Sequence, residues 1–483
     1  MQFQAVSEAH RRFITDPVRP IFVLIAIAAC VRILMTFGTT GILWPDSFAY
    51  HRSAALMAKF GNFHWHEIYR TPLYPIFMAP FLWLFGQTAL AGFFIILGQR
   101  LLGIASVVLL YKVSRKNFSP AVAFYGSLLF AIHTLQLYYE TTVHTETLFT
   151  FFLLLVIYAT DFLFKDPAPR NACLVGLLCG LLTLTRPLGQ FVLLIILGLL
   201  LLRERFSLTW WKCCGASILV FVAVLLPWML TNKAYYKFFG VSQDLGLNLF
   251  HRIIDVERIP PLENTAHPRV LRVWKASKHN KITYFYVYHG LLRERVRRVK
   301  ADRMMAAFAI ETLKQDGGKY FLPYLKNSAE TFFEFFFKVR RSVQFCGDAG
   351  GPYLCTKNTL GRKEKAFANS PENLGSSARA IIYEYFRLFR LPMGAISLVA
   401  MVGFVMVASR WRKAELSVVL MMAVTIYFAL LTAVFNIPED RFRLPIDPIL
   451  FVFAVFAVTS FVLYYIRGKR GDPKQACINS HET

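Results

Sequence analysis

The sequence predicts an all-α protein that crosses a membrane many times. Of its 483 residues, 56% are hydrophobic and only 17% are charged, whereas an ordinary soluble domain carries about a quarter charged residues. The apolar residues fall in blocks of roughly 20, the length that a helix needs to cross a ~30 Å hydrocarbon core. Basic residues lie between these blocks, as expected for loops beside lipid headgroups.

Ten apolar segments are candidate spans. They cover residues 20–38, 88–110, 120–138, 147–164, 171–185, 188–202, 214–231, 393–409, 416–434 and 447–465. The stretch 75–85 is too short to cross and is predicted to be a surface or re-entrant helix. The first apolar block shows no small-residue cleavage site, so we interpret it as a retained span.

The basic residues of the short loops predict the orientation. With the N-terminus inside, the loops after 110, 164 and 202 fall inside and carry Lys116, Lys165 and Arg205, in agreement with the positive-inside rule. Both termini are then cytoplasmic. The predicted units are an N-terminal membrane module 1–231, an outer-face segment 232–391 and a C-terminal membrane module 392–483. Within the outer-face segment, 304–325 and 331–339 are predicted to lie along the membrane surface.

The formal net charge of +25 could suggest nucleic acid as a partner. No nucleic-acid motif is present, and the basic residues fall between apolar blocks. We therefore expect membrane lipids, and not nucleic acid, to be the partner of these charges.

Two cysteines, Cys346 and Cys355, flank a Gly-rich loop of the predicted outer face. An oxidising compartment would allow a disulfide between them. Two free thiols are the alternative.

Asp46 stands where the chain leaves the first span. It could cap a helix that begins at Ser47, because Asp is a favoured N-cap residue. It could also act as a general base at the membrane–water boundary and take a proton from a sugar or lipid hydroxyl. The two roles can coexist.

Further charged residues fall on the same predicted face. Glu140, His144 and Glu146 could orient an acceptor or hold a divalent cation, or they could be solvated turn residues, with Glu146 favouring a helix N-terminus. Arg186 could snorkel to the interface, or its guanidinium fork could bind phosphate. These residues do not specify a metal.

The turn between the last two spans, "NIPEDRFRLPIDP", concentrates charge between apolar helices. Arg441 and Arg443, with Asp440 and Asp447, make it a candidate site for an anionic headgroup.

The loop "NFHWHEIYRTPLYP" contributes Arg70, a candidate phosphate ligand, and a possible metal set of His64, His66 and Glu67. Acids and phosphate-binding arginines that converge at headgroup level suggest group transfer from a phosphorylated lipid.

These motifs also carry a family resemblance. "WPDSFAYHRSAALMAKFG", followed by "YRTPLYPIFMAPFLWLFG", resembles the opening outer loop of bacterial GT-C glycosyltransferases of the dolichyl-phosphate-mannose protein mannosyltransferase and aminoarabinose transferase superfamily. In the same order, further segments resemble that group: "HTETLFTFFLLL", "GLLTLTRP", "PWMLTNKAYYKFFG" with "GLNLF", and "EDRFRLPIDPILFVFA". The resemblance covers most of 40–250 and 390–465.

The resemblance implies a GT-C-like fold in the bacterial inner membrane, with the active site on the periplasmic face. It implies transfer of a sugar from a polyprenyl phosphate to a hydroxyl of an envelope glycolipid, polysaccharide or protein, by one inverting displacement. Asp46 matches the family's catalytic aspartate and Glu146 an acidic residue that opens a later span. Arg186 and Arg441 match basic positions near the donor phosphate. No cofactor is required, although a divalent cation is possible.

Two other functions stay open. One is an outer-face ligase or polymerase that uses a polyprenyl-diphosphate oligosaccharide. The other is a lipid or sugar-phosphate transporter, which predicts ionisable residues inside the spans and repeat symmetry. The sequence suggests neither feature. "YRTPL" departs from the motif of aminoarabinose transferases, so aminoarabinose is not indicated as the donated sugar.

Overall fold

The computed structural model describes residues 8, 12–36, 45–61, 70–277, 283–337, 345–346, 353–354, 391–409, 414–436 and 439–469. Helices make up nearly all of this part of the chain. A short antiparallel pair, β1 (Phe345–Cys346) and β2 (Tyr353–Leu354), is also present.

The N-terminal half contains ten helices in the described ranges. They are α1 (Arg19–Thr36), α2 (Pro45–Phe60), α3 (Leu73–Phe85), α4 (Ala89–Asn117), α5 (Pro120–Ala131), α6 (Thr134–Glu140), α7 (Glu146–Lys165), α8 (Pro169–Thr185), α9 (Val192–Glu204) and α10 (Leu208–Tyr236). Side-chain caps define several starts, since Thr88, Ser119 and Ser207 each accept a hydrogen bond from a backbone N–H of the first turn.

The outer segment and the C-terminal region follow. Their helices are α11 (Leu245–Phe250), a π-helical turn (His251–Val256), α12 (Pro268–Ser277), α13 (Thr283–Arg293), α14 (Arg298–Gly318), α15 (Phe321–Phe337), α16 (Met393–Ala408), α17 (Leu416–Phe435), α18 (Asp440–Arg443) and α19 (Asp447–Lys469).

The predicted all-α polytopic membrane architecture is confirmed. Each of the ten predicted spans coincides with helix. Six segments of the described chain are long and apolar enough to cross a membrane: 89–117, 146–165, 187–204, 208–236, 416–435 and 440–465. α3, α8 and α16 are shorter apolar helices.

The predicted span 120–138 is not one straight helix. α5 and α6 meet at an angle of 51°, because His133 adopts an extended backbone conformation between them. The imidazole of His133 lies 3.1 Å from Asp447 at the start of α19. The break therefore brings a polar side chain to a buried carboxylate.

The two largest of six apolar clusters in the described residues lie in different parts of the molecule. One fills the membrane bundle and includes Phe149 of α7, Leu182 of α8 and Phe428 of α17. The other lies within the outer segment, around Phe250, Val287 and Phe308. The tyrosine hydroxyl of Tyr324 in α15 donates to the carbonyl of Val434 in α17, so the outer segment is attached to one end of the bundle.

The structure differs from the expectation for the two stretches predicted to lie along the membrane surface, 304–325 and 331–339. The first is broken by non-helical backbone at Gln315, Asp316 and Gly317. In the second, Phe335 and Phe336 are buried in the bundle core. That segment packs on the bundle through its aromatic face, because the core offers these rings more apolar contact than the membrane surface does.

Some predicted features lie outside the described residues. They are the proposed metal set His64, His66 and Glu67, and the disulfide of Cys346 with Cys355, of which only the backbone of Cys346 is described.

Candidate active site

Asp46 lies in the first turn of α2 and its carboxylate joins two arginines. Oδ1 lies 2.5 Å from Nη2 of Arg70, and Oδ2 lies 3.2 Å from Nη1 of Arg441. Because the helix begins at Pro45, Asp46 is not the residue that precedes the helix, and the N-cap interpretation is wrong. The side chain is 32% exposed, so a ligand can reach it.

The two guanidinium groups determine the charge state of Asp46. Burial alone would raise the pKa of this carboxyl, but Arg70 and Arg441 hold the pKa well below its usual value. Asp46 is therefore an ionised carboxylate at neutral pH.

Neighbouring side chains orient both arginines. The guanidinium of Arg70 stacks 5.1 Å from the ring centroid of Tyr50, one helical turn beyond Asp46 on α2. Arg441 contacts Glu439 through Nε at 2.6 Å and lies 4.8 Å from the ring centroid of Phe442. These contacts hold both guanidinium groups against the carboxylate.

A second ion pair is formed by Glu146 and Arg186. Nη1 of Arg186 lies 3.2 Å from Oε1 of Glu146, and Nδ1 of His144 lies 3.3 Å from Oε2. α8 ends at Thr185 because Pro187 disfavours helical backbone at the preceding residue, and Arg186 is accordingly extended. This extended conformation carries the Arg186 side chain to the first residue of α7.

Phe442 connects the two ion pairs. Its ring centroid lies 5.5 Å from the Arg186 guanidinium carbon and 4.8 Å from that of Arg441. Asp46 and His144 are within electrostatic range of each other. The structure therefore brings together side chains from five distant positions: Asp46, Arg70, Glu146, Arg186 and Arg441.

The site lies at the end of the bundle that carries the outer segment. The opposite end is marked by Asp161 of α7, which accepts from Lys116 and Ser417, each at 2.9 Å. The guanidinium groups of Arg70, Arg186 and Arg441 thus lie, with their carboxylate partners, at one end of the membrane helices.

Arg443 does not join the site. It was predicted to bind the donor phosphate, but it is 5% exposed and its Nε donates to Oδ1 of Asp447 at 2.8 Å. The i,i+4 spacing places both residues on one side of the helical turn. Asp447 also contacts His133, so Arg443 belongs to a buried structural network.

Glu140 is also separated from the site. It is 1% exposed, and its Oε1 accepts from Nη2 of Arg32 at 2.6 Å and from Gln136 at 3.0 Å. Gln99 donates to the backbone carbonyls of Glu140 and Thr142. A Cβ at Gly103 would collide with the Glu140 carboxylate. This packing does not favour the predicted acceptor or metal role, whereas His144 stays beside Glu146.

Sequence reasoning missed Arg32 and Arg100, which are buried inside α1 and α4. The available signal was a charged residue within an apolar block, which marks a buried partner or a functional site. The expectation that the spans contain no ionisable residues is therefore wrong. Because Arg32 and Glu140 are closed off from solvent, their pair holds helices together and does not line an open path.

No three His, Cys, Asp or Glu side chains within the described ranges are grouped as potential metal ligands.

Comparisons with known proteins agree with this geometry. Residues 69–228, which include Arg70, Glu146 and Arg186, match the family of dolichyl-phosphate-mannose-protein mannosyltransferases. The Archaeoglobus fulgidus oligosaccharyltransferase tethered with an acceptor peptide has a similar fold, with a TM-score of 0.50 and 13% identity over 92% of this chain and 50% of that one.

Two further solved structures resemble this chain. Archaeal oligosaccharyltransferase AglB from A. fulgidus, in complex with an inhibitory peptide and a dolichol-phosphate, gives a TM-score of 0.49 at 13% identity, over 94% of this chain and 52% of that one. ArnT from Cupriavidus metallidurans bound to undecaprenyl phosphate gives a TM-score of 0.40 at 12% identity, over 92% of this chain and 79% of that one. The chain spans about half the length of the archaeal oligosaccharyltransferase. No curated protein is significantly similar to it.

Proposed function

We propose that this protein is a GT-C-type glycosyltransferase, and that it transfers a sugar from a polyprenyl phosphate to an acceptor hydroxyl with inversion of configuration. The observation that carries the proposal is the Asp46 carboxylate held between Arg70 and Arg441, next to the Glu146–Arg186 pair. A base and several phosphate ligands are the groups that such a transfer needs. The family that matches 69–228 is described by a dolichyl-phosphate-linked mannose, which supports a donor of the same chemical class.

The arginines bind the donor phosphate in this mechanism. Guanidinium forks match phosphate oxygens and form charge-assisted hydrogen bonds with them. Without donor, Arg70 and Arg441 are engaged with Asp46. When the phosphate arrives, it competes for the same N–H donors, and the loss of these contacts raises the basicity of Asp46. Donor binding thereby activates the base.

The chemical step is a single displacement. The acceptor hydroxyl gives its proton to Asp46 while its oxygen forms a bond to the anomeric carbon. The bond between that carbon and the phosphate oxygen breaks, and the polyprenyl phosphate departs with the electron pair. Arg441 and Arg186 stabilise the charge that develops on the leaving oxygen. Glu146 and Phe442 position Arg186 for this role.

We further propose that the site faces the periplasm of a bacterial inner membrane and that both termini are cytoplasmic. Lys116 and Lys165 lie at the end of the bundle opposite to Asp46, as the positive-inside rule requires for this orientation. The acceptor is then a glycolipid, polysaccharide or protein of the envelope. The arginines supply the positive charge that a metal ion would otherwise provide, so no cofactor is required.

The test compares Asp46→Asn with Asp440→Asn, a matched change at a buried carboxylate that accepts a hydrogen bond from Tyr139. Mass spectrometry follows the sugar-linked envelope product and the released lipid. Loss of a general base lowers the rate by about 10²–10⁴-fold. Full transfer by Asp46→Asn, with the variant folded, would refute the mechanism. A released diphosphate would instead indicate the ligase or polymerase alternative.

A further inference from the structure

The outer segment presents a polar and aromatic group towards the site. The chain passes from α11 into a π-helical turn over His251–Val256, a conformation that is rare and frequently found at functional sites. Within this turn, Nδ1 of His251 lies 3.2 Å from Oδ2 of Asp255. A carboxylate partner at Nδ1 favours the tautomer with a proton on that nitrogen. Nε2, on the other side of the ring, is then a hydrogen-bond acceptor.

Tyr284 of α13 extends this group. Its ring centroid lies 4.5 Å from that of His251 at an interplanar angle of 50°. Its backbone N–H donates to Asp255 Oδ2 at 3.0 Å. One carboxylate therefore positions both the imidazole and the helix that carries the tyrosine.

Tyr284 also lies within electrostatic range of the catalytic ion pair. Asp46, Arg441, Glu439 and Arg70 all act on its hydroxyl. Burial raises the pKa of this hydroxyl, so it remains a hydrogen-bond donor at neutral pH. Tyr284 thus lies between the π-helical turn and the carboxylate proposed to be the base.

Exposure distinguishes this histidine from the structural ones. His133 and His144 are 2% and 3% exposed and contact buried carboxylates. The side chain of His251 is 28% exposed, and Tyr284 is partly exposed. Both side chains are therefore partly accessible beside the site, whereas a purely structural contact would bury them.

We propose that His251 and Tyr284 bind the acceptor, and that the acceptor hydroxyl belongs to a carbohydrate ring. This inference rests on the proposed function. The C–H face of a sugar packs on the tyrosine ring, His251 Nε2 accepts a hydrogen bond from a neighbouring sugar hydroxyl, and the Tyr284 hydroxyl donates one. Together these contacts hold the reacting hydroxyl at Asp46. Asp255 is a positioning residue, since it acts through His251 and through the backbone of Tyr284.

The test uses the full-length protein in detergent. The acceptor is an envelope extract that retains its glycolipids and comes from cells that lack the protein. Tyr284→Ala and His251→Ala should each raise the apparent KM for the extract by about tenfold, the effect of losing roughly one good hydrogen bond or ring contact. Binding of undecaprenyl phosphate, measured separately, should change less than twofold. Tyr286→Ala is the matched control, because Tyr286 lies two positions away on α13 and is 47% exposed.

Four outcomes decide the matter. An unchanged KM in both variants overturns the inference, and so does an equal loss of undecaprenyl phosphate binding and transfer, which would indicate a donor-side or folding effect. Proteinase digestion of the extract should leave its acceptor activity intact, and its loss would overturn the assignment to a carbohydrate. If the wild type and Asp46→Asn both form no product, the proposed function itself fails.

Discussion

Replacing Asp46 by Asn should strengthen the binding of a polyprenyl phosphate while it abolishes transfer. In the proposed mechanism, Asp46 and the donor phosphate are both anions that bind Arg70 and Arg441. An Asn side chain keeps the size of the residue but removes the charge that competes for the two guanidinium groups. A ligand that carries only the phosphate and the prenyl chain should therefore bind the variant more tightly than the wild type.

The distances indicate the size of the effect. Across the 3.2 Å between Asp46 and Arg441, the Coulomb energy is about 5 kcal/mol at an effective dielectric constant near 20 and about 1 kcal/mol in bulk water. Asp46 is about one-third exposed, so the effective energy lies between these limits, and rehydration of the guanidinium groups offsets part of it. We expect Kd to fall by about tenfold to a hundredfold.

The assay is a titration of purified protein with undecaprenyl phosphate in detergent, read by native mass spectrometry. Asp440→Asn should bind like the wild type, and Arg441→Gln should bind at least tenfold more weakly because it removes one phosphate ligand. If Asp46→Asn binds equally or more weakly than the wild type, the arginines around Asp46 are not the phosphate site, and the reasoning fails.

Three further predictions concern a buried ion pair, a titrating carboxyl group and the need for a metal ion. The single changes Arg32→Met and Glu140→Gln should each destabilise the protein by about 3–5 kcal/mol, because each leaves one charge of a buried ion pair without its partner. The double variant Arg32→Met with Glu140→Leu should recover most of that stability in thermal unfolding. An equal loss of stability in the double variant would contradict this prediction. Burial and the nearby Asp302 raise the pKa of Asp244 to about 6. The contribution of this carboxyl to the stability of the fold therefore falls as pH rises from about 4 to 6. Asp244→Asn should remove that part of the pH dependence of the thermal unfolding midpoint, and an unaltered pH profile would contradict the prediction. Excess EDTA should leave transfer unchanged, and activity that EDTA abolishes and Mg²⁺ restores would show that the arginines do not suffice.

Apolar blocks were sufficient to predict the membrane helices. A block of roughly 20 apolar residues can satisfy its backbone groups within a membrane only as a helix, and every predicted span coincides with helix. The alternation of loops between two faces then placed Asp46, Glu146, Arg186 and Arg441 at one end of the bundle. Their convergence follows from topology and needs no knowledge of side-chain contacts.

Side-chain partners could not be predicted in the same way. Arg441 and Arg443 are two positions apart, and only the rotation of a short helix sends one to Asp46 and the other to Asp447. Glu140 and Glu146 flank one turn, yet Arg32 of α1 forms an ion pair with Glu140. Such pairings depend on packing between helices distant in sequence, which a single sequence does not specify.

The charges of the described site give a reason for the proposed mechanism to place a carboxylate among the phosphate ligands. Arg70, Arg186 and Arg441 balance Asp46, Glu146 and Glu439, so the resting group is neutral. A sugar-linked polyprenyl phosphate brings one negative charge, and the departing monoester carries nearly two. The second charge appears as the acceptor proton neutralises Asp46. At that moment Arg70 and Arg441 lose their carboxylate partner and can bind the phosphate fully, so the total charge of the site is the same before and after transfer. If the base were far from the phosphate ligands, protonation of the base would free no guanidinium group to bind the additional negative charge of the phosphate.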